Sequence, residues 1–258
     1  MQVSVLASGS KGNAIFVEMF GTRLLIDAGI SARRINKALL ELDEDIKNID
    51  GVIITHEHRD HITGLPTLCK KYNLPVYSRL GTFKAMFCLD KLPEKCINPI
   101  SDNFIIKDLA IEAFNISHDA ADPVGYSIKS HNKKCTIATD LGFVTSNVQE
   151  AIDNSNVLVL EANHDPQMLQ AGVYPLALKK RIMSNKGHLS NNDAAWALVR
   201  MKKQHPHIFL AHMSEENNCP FIAAKTITDI IKKQGIVPGT DLSIQIARQN
   251  ETVTLCDN

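Results

Sequence analysis

The chain has 258 residues, enough for one α/β domain, and 44% of them are apolar, which supplies a substantial core. Its 28 basic residues balance its 28 acidic ones, so net charge gives no support for a strong, non-specific grip on nucleic acid, although a local basic groove stays open. No apolar run reaches the ~20 residues of a membrane span, and the N-terminus MQVSVLASGSKGN lacks signal-peptide features; a cytoplasmic protein without membrane association is expected.

VSVLA reads as a strand, SGSKGN as a polar Gly-rich loop, and AIFVEM as the next strand. TRLLID follows after the Gly21 turn. Ser31 then caps a helix over Ala32–Glu41, where Ile35, Leu39 and Leu42 recur at helical spacing. GVIIT is a short apolar strand with a histidine cluster just past its end. The pattern predicts helices over Ile62–Tyr72 and Arg79–Cys88 with the strand LPVYS between them. A strand pair over Phe104–Ile116 turns at Lys107–Asp108, and Gly125–Ser130 with Cys135–Thr139 form a hairpin around HNKK. A short helix over Val148–Ile152 leads to the buried strand VLVLEA. A helical stretch near Ala177–Met183 precedes a helix capped by Ser190 that runs to about Gln204. IFLAH, a helix over Pro220–Lys233 and LSIQIA as closing strand complete one domain spanning residues 1–258. The candidate polar clusters fall at C-terminal strand ends, where sites in α/β proteins gather.

Six cysteines without CxxC pairing read as free, mostly buried thiols and offer no metal site. The short basic runs, Lys179–Arg181 among them, read as solvated helix or loop faces. His131, His205 and His207 carry no functional signal. The segment THEHRDH differs, because three histidines and an aspartate share one loop in HxHxDH spacing. His56 and His58, two apart, can converge on one ion, while Asp60 and His61 continue the turn toward a second. Imidazole and carboxylate donors suit Zn, Mn or Fe. His118, Asp140 and His212 follow apolar strands in the same manner, and an aspartate at 140 can bridge two cations. Two such ions can hold a hydroxide and neutralise charge on a phosphate in flight.

HxHxDH, a lone His, a lone Asp and a later His, in that order, resemble the metallo-β-lactamase superfamily across essentially the whole chain. LLIDAG is similar to the first motif of that family, which implies a structural hydrogen-bonding role for Asp27. The resemblance implies an α/β four-layer αββα sandwich. It further implies His56, His58 and His118 on one metal, Asp60, His61 and His212 on the other, and Asp140 between them.

Within the superfamily, Asp140 stands where β-lactamases often carry cysteine, whereas thiolesterases of the glyoxalase II type share all seven ligands. Three further segments point to nucleases. GHLS resembles the histidine motif of the tRNA 3′-processing ribonuclease and implies that His188 contacts phosphate or protonates a leaving oxygen. ASGSKGN, containing Ser8, Ser10 and Asn13, is a loop whose backbone N–H groups can hold anions. EANHD, containing Asn163 and His164, resembles a segment of the YycJ/WalJ branch, as SGSKGN, GHLS and AHMSEENN also do. The short spans from His118 to Asp140 and from Asp140 to His212 leave no room for the tRNA-gripping arm of ribonuclease Z or the β-CASP insertion of ribonuclease J.

The expected activity is a dinuclear phosphodiester hydrolase, a sequence-independent 5′→3′ DNA exonuclease linked to repair. Two divalent ions (Zn, Mn or Fe) would activate water, Asp60 would orient it and accept its proton, and His188 would serve the leaving oxygen. Ser8, Ser10, Asn13, Asn163 and His164 would position nucleotides through their backbone. Nucleic acid is the expected partner, and no stable protein partner is indicated. The alternative is a small-molecule hydrolase, either a cyclic phosphodiesterase or a thiolesterase. A non-catalytic metal-bound module is a third reading, disfavoured because a scaffold needs no open metal position.

Overall fold

The computed structural model describes residues 1–202 and 205–256. Apolar strands that must be covered on both faces lead to a layered solution, and the described residues form two seven-stranded sheets. The first holds β1 (Gln2–Ala7), β2 (Ala14–Met19), β3 (Thr22–Ile26), β4 (Gly51–Ile53), β5 (Val76–Ser78) and β6 (Ile97–Pro99), ordered in space as in the chain. The second holds β7 (Asn103–Ile106), β8 (Leu109–Asn115), β9 (Val124–Ser130), β10 (Lys133–Ala138), β11 (Val157–Glu161), β12 (His207–Ala211) and β13 (Ser243–Ile246), again in chain order. β14 (Val253–Cys256) then returns to the first sheet and pairs antiparallel with β1.

One core lies between the sheets: Val3, Val17 and Leu24 of the first pack with Ile111, Tyr126 and Phe209 of the second. The outer face of the first sheet is covered by α1 (Ala32–Leu40), α2 (Arg59–Ile62), α3 (Leu65–Tyr72) and α4 (Leu80–Ala85) through Ile35, Ile62, Leu68 and Phe83. The outer face of the second is covered chiefly by α5 (Ser146–Ile152), α8 (Asn191–Arg200) and α9 (Pro220–Lys233) through Val148, Leu198 and Ile227. Helix, sheet, sheet, helix is the αββα sandwich. Between α5 and α8 the chain adds α6 (Pro166–Ala171) and α7 (Leu176–Ile182), of which α7 borders the site described below through Leu178, Arg181 and Ile182. No helix among the described residues is long and apolar enough to cross a membrane.

The predicted elements differ from the observed ones at a few places. The helix expected over Ile62–Tyr72 is two helices, because the chain breaks at Gly64: a Cβ there would lie 2.3 Å from the Ile30 carbonyl oxygen. The helix expected over Arg79–Cys88 stops at Ala85 and gives way to a 3-10 turn at Leu89–Lys91. β6, β14 and α6 were not predicted. The helix capped by Ser190 ends at Arg200, and the expected end at Gln204 lies outside the described residues. The closing strand is β14, whereas LSIQIA forms the edge strand β13 of the other sheet.

β3–β4–β5–β6 and β10–β11–β12–β13 are parallel runs. Their C-terminal ends carry Asp27, His56, Asp140, Glu161 and His212 to one edge of the sandwich.

Candidate metal centre

The loop after β4 supplies His56, His58, Asp60 and His61, the last two already in α2. β8 ends three residues before His118, β10 two before Asp140, and β12 one before His212. Three residues at these strand ends hold left-handed backbone angles, Asp27 (φ 61°), Asp140 (φ 58°) and His212 (φ 53°). Such angles cost non-glycine residues energy and gather where a site demands a particular side-chain direction. The structure brings all seven candidate ligands around a cavity of about 270 Å³ whose lining includes His58, Asp60, His118, Asp140 and His212.

Four of the histidines have one ring nitrogen tied from behind and the other turned toward the cluster. His61 Nδ1 donates to Asp27 Oδ2 at 2.7 Å, and His212 Nδ1 donates to Glu161 Oε1 at 2.9 Å. His118 Nδ1 donates to the Gly187 carbonyl at 3.2 Å. Thr55 Oγ1 gives its own proton to Asp27 and accepts from His56 Nδ1 at 3.0 Å. In the neutral ring this backing leaves the unprotonated nitrogen facing inward, the arrangement that orients metal ligands.

The inward atoms then meet at ligand-to-ligand distances. His58 Nδ1 and His118 Nε2 lie 3.3 Å apart, and His61 Nε2 lies 3.3 Å from Asp140 Oδ2 and 3.5 Å from Asp60 Oδ2. His212 Nε2 lies 3.6 Å from Asp60 Oδ2. Donors around a tetrahedral ion with bonds near 2.0–2.1 Å stand roughly 3.3–3.4 Å apart. Donor atoms fall into groups, each within 4.8 Å: His56 with His58 and His118, His56 with His61 and Asp140, and Asp60 with His61 and His212. His56 Nε2, Asp140 Oδ2 and His212 Nε2 are buried with no hydrogen-bond partner. Unpaired buried donors and acceptors are costly, and cations held within the clustered donors would satisfy them. The residues fit divalent metal.

The charges agree. Burial pushes the Asp140 carboxyl upward, but the imidazoles of His212 and His61 outweigh it and hold the group well below the ordinary carboxylate range. Asp60 is also held low, burial being overcome chiefly by His61. Burial lowers His61 and His212, yet Asp27 with Asp60 raises the first and Asp140 raises the second, to about 10. His56 and His118 are driven down, chiefly by burial. The cavity demands positive charge near Asp60 and Asp140, and protons on His61 and His212 supply it where no cation is present.

His188 lines the same cavity, half-buried, with Nδ1 donating to Glu161 Oε1 at 2.9 Å. Burial lowers its pKa, but the Glu161 carboxylate raises it above the ordinary histidine value overall. Glu161 is fully buried and takes four hydrogen bonds: His188 and His212 on Oε1, Leu141 N and Leu189 N on Oε2. Burial alone would raise it; the His188 charge and these bonds bring it to about 2.

Of the residues expected to face substrate, Ser10 and Asn163 line the cavity. Ser8, Asn13 and His164 are buried behind it. Ser8 Oγ accepts from His212 N at 2.7 Å, and the Asn13 amide ties the Gly9 carbonyl to the Asp60 loop. The backbone of His164 bridges to Ser190 and aligns the two segments. Sequence reasoning missed Glu161 as a hub and Gln249, which clamps the Gly-rich loop by accepting from Lys11 N and donating to the Gly12 carbonyl. It also missed Tyr174 and Arg181, which share the cavity wall.

The profile of the family described as "Beta-lactamase superfamily domain" matches residues 22–213. The chain is 37% identical to exodeoxyribonuclease YycJ of Bacillus anthracis over 248 residues, 95% of this chain and 94% of that protein. It is 36% identical to exodeoxyribonuclease WalJ of Streptococcus pneumoniae over 247 residues, 93% of this chain and 92% of that one. Among solved structures, the metallo-β-lactamase fold protein YhfI from Bacillus subtilis superposes with a TM-score of 0.72 at 14% identity, covering 98% of each chain.

Proposed function

Because the chain belongs to the metallo-β-lactamase superfamily, and matches exodeoxyribonucleases over nearly its whole length, we propose that it degrades DNA from an end with the cluster around Asp140 as its centre. It is a metal-dependent hydrolase of the nuclease type. Two divalent ions (Zn, Mn or Fe), attack in the 5′→3′ direction and a task in DNA repair are the finer parts of the proposal.

In this reading His56, His58 and His118 hold one ion, Asp60, His61 and His212 the other, and Asp140 lies between them. Bound divalent cations supply a Lewis acid for the phosphate and acidify the attacking water. Asp60, whose side chain is a quarter exposed at the cavity, orients that water and accepts its proton. His188 holds a proton toward the leaving oxygen or binds the phosphate, its ring fixed by Glu161. Ser10 and Asn163 border the strand without reading bases, so cleavage is sequence-independent.

One observation carries the reading: His56 Nε2, Asp140 Oδ2 and His212 Nε2 are each buried and unpaired within the ligand cluster, in a chain similar to an exodeoxyribonuclease over 95% of its length. The test is degradation of end-labelled single- and double-stranded DNA and RNA under metal titration, beside bis(p-nitrophenyl) phosphate and S-lactoylglutathione. Progressive loss of DNA from the 5′ end supports it. Fast turnover of a small ester with intact DNA would replace it with a small-molecule hydrolase.

A further inference from the structure

In a chain with no net charge, the 22 residues from 166 to 187 carry four cations, Lys179, Lys180, Arg181 and Lys186, and no acidic residue. The structure places this segment at the cavity mouth. α7 turns Leu178, Arg181 and Ile182 into the cavity wall, and Tyr174, just before α7, lines it too. Lys180 and Lys186 are solvent-exposed, and among the described residues only Arg181 of the four pairs with a carboxylate. Lys179 ties α7 to α6 by donating to the Gln170 carbonyl at 2.7 Å. Gly142 packs so closely on Ser184 and Asn185 that a Cβ would lie 2.3 Å from the Asn185 carbonyl oxygen, which anchors the far end of the segment to the Asp140 loop.

Resting on the nuclease reading above, we propose that residues 166–187 form the strand-gripping element of the enzyme, with Arg181 on the phosphate next to the scissile one and Lys180 and Lys186 on phosphates beyond. The placement of Arg181 argues for the first contact. Its Nε lies 2.5 Å from Asp119 Oδ2, and Asp119 Oδ1 lies 3.5 Å from His118 Nε2. The guanidinium therefore stands one carboxylate away from the metal cluster. The pair is half-exposed, and an ion pair of that kind holds weakly, so a phosphate can take the guanidinium bidentately. Tyr174 lines the same cavity, and an aromatic ring there can take a stacked base without sequence preference. Lys180 and Arg181 are exposed, as the solvated-face reading expects, and the significance of the run lies in its place at the mouth.

The test compares Lys180→Ala/Lys186→Ala with a control of equal charge loss, Lys232→Ala/Lys233→Ala at the distal end of α9, both in the full chain. The substrate is end-labelled duplex DNA, and KM, kcat and the salt dependence of kcat/KM are read separately. The mouth variant raises KM about tenfold and cuts the log–log salt slope by roughly 1.8, nearly one unit per lost phosphate contact. The control moves neither. Arg181→Lys, which keeps the charge but loses the fork, raises KM while leaving the salt slope in place. A mouth variant indistinguishable from the control overturns the proposal alone. Wild-type protein that hydrolyses bis(p-nitrophenyl) phosphate yet leaves DNA intact overturns the nuclease reading and the grip together.

Discussion

Glu161 accepts the Nδ1 hydrogen of His188 at 2.9 Å, inside the protein and fully shielded from water. The same oxygen takes His212 Nδ1, so one carboxylate sets the tautomers of a proposed metal ligand and of the proposed group at the leaving oxygen. Glu161→Gln keeps the shape but turns an NH₂ toward N–H donors on one side or the other. Metal affinity is expected to fall about 10–100-fold, and kcat at saturating metal at least about 100-fold. Elemental analysis and metal-titrated kinetics separate the two. Full kcat once metal saturates would remove the catalytic meaning of the Glu161–His188 contact.

Asp27 performs the same service for His61. Its carboxylate is buried and takes Thr55 N, Thr55 Oγ1 and His61 Nδ1. Asp27→Asn must present an amide to one of these donors. We expect about 1–3 kcal/mol of lost stability and roughly 10–100-fold weaker metal binding, read by urea unfolding and by titration of metal-stripped protein. Native affinity in the variant would reduce Asp27 to a fold-stabilising residue.

Asp140 holds φ at 58°. Alanine there keeps the left-handed strain, whereas glycine releases it. Both Asp140→Ala and Asp140→Gly should lose activity, but the glycine variant should be about 1 kcal/mol the more stable of the two. Urea midpoints measured in chelator decide this, and equal midpoints would show that the site stores no backbone strain at that position.

How far the sequence disclosed this site follows from how local each feature is. His56, His58, Asp60 and His61 are contiguous, and their loop follows an apolar strand, so spacing alone exposes them. His118, Asp140 and His212 stand out as lone polar residues at strand ends. Glu161 does not, because its function exists only where β11, the His188 segment and the end of β12 converge. Gln249 lies 238 residues from the Lys11 amide that it accepts from. β14 is four residues long, and only its pairing with β1 makes VTLC a strand. α6 had its signals, an Asp165 cap followed by proline at the first position, but ANHDP read as a motif. Gly64 looks like an ordinary helix residue until the Ile30 carbonyl is found against it.

Lys134 gives a pH signature away from the site. Half-buried on β10, it donates to the Asp153 carbonyl at 2.7 Å, and burial lowers its pKa from 10.5 to about 8. Between those values the unfolded chain binds more protons than the folded one, so this group makes stability rise as pH climbs from about 8 toward 10.5. Lys134→Met should flatten that rise. Urea midpoints across the window test it, and parallel curves for the two proteins would contradict the assignment.

Chelation is the most direct probe of the cluster. His56 Nε2, Asp140 Oδ2 and His212 Nε2 are buried and unpaired, so removing cations should destabilise the fold, not only silence it. A metal at 100 times its Kd contributes about 2.7 kcal/mol, which for a chain of this size is roughly 5–10 °C in Tm. The pH dependence distinguishes a built site from loose surface binding. In metal-free protein His61 and His212 sit above their unfolded values, His212 at about 10. Their protonated contribution is fully present below about 6.5 and is lost as pH rises toward 10. A cation must displace those protons, so its contribution grows over the same range. His56 and His118 are already neutral near pH 7, since burial holds both low, and metal entering beside them displaces few protons. Calorimetric Tm of loaded and chelated protein should therefore diverge steadily from pH 6 to about 9. A constant gap, or none, would mean that the cluster binds no cation against those protons.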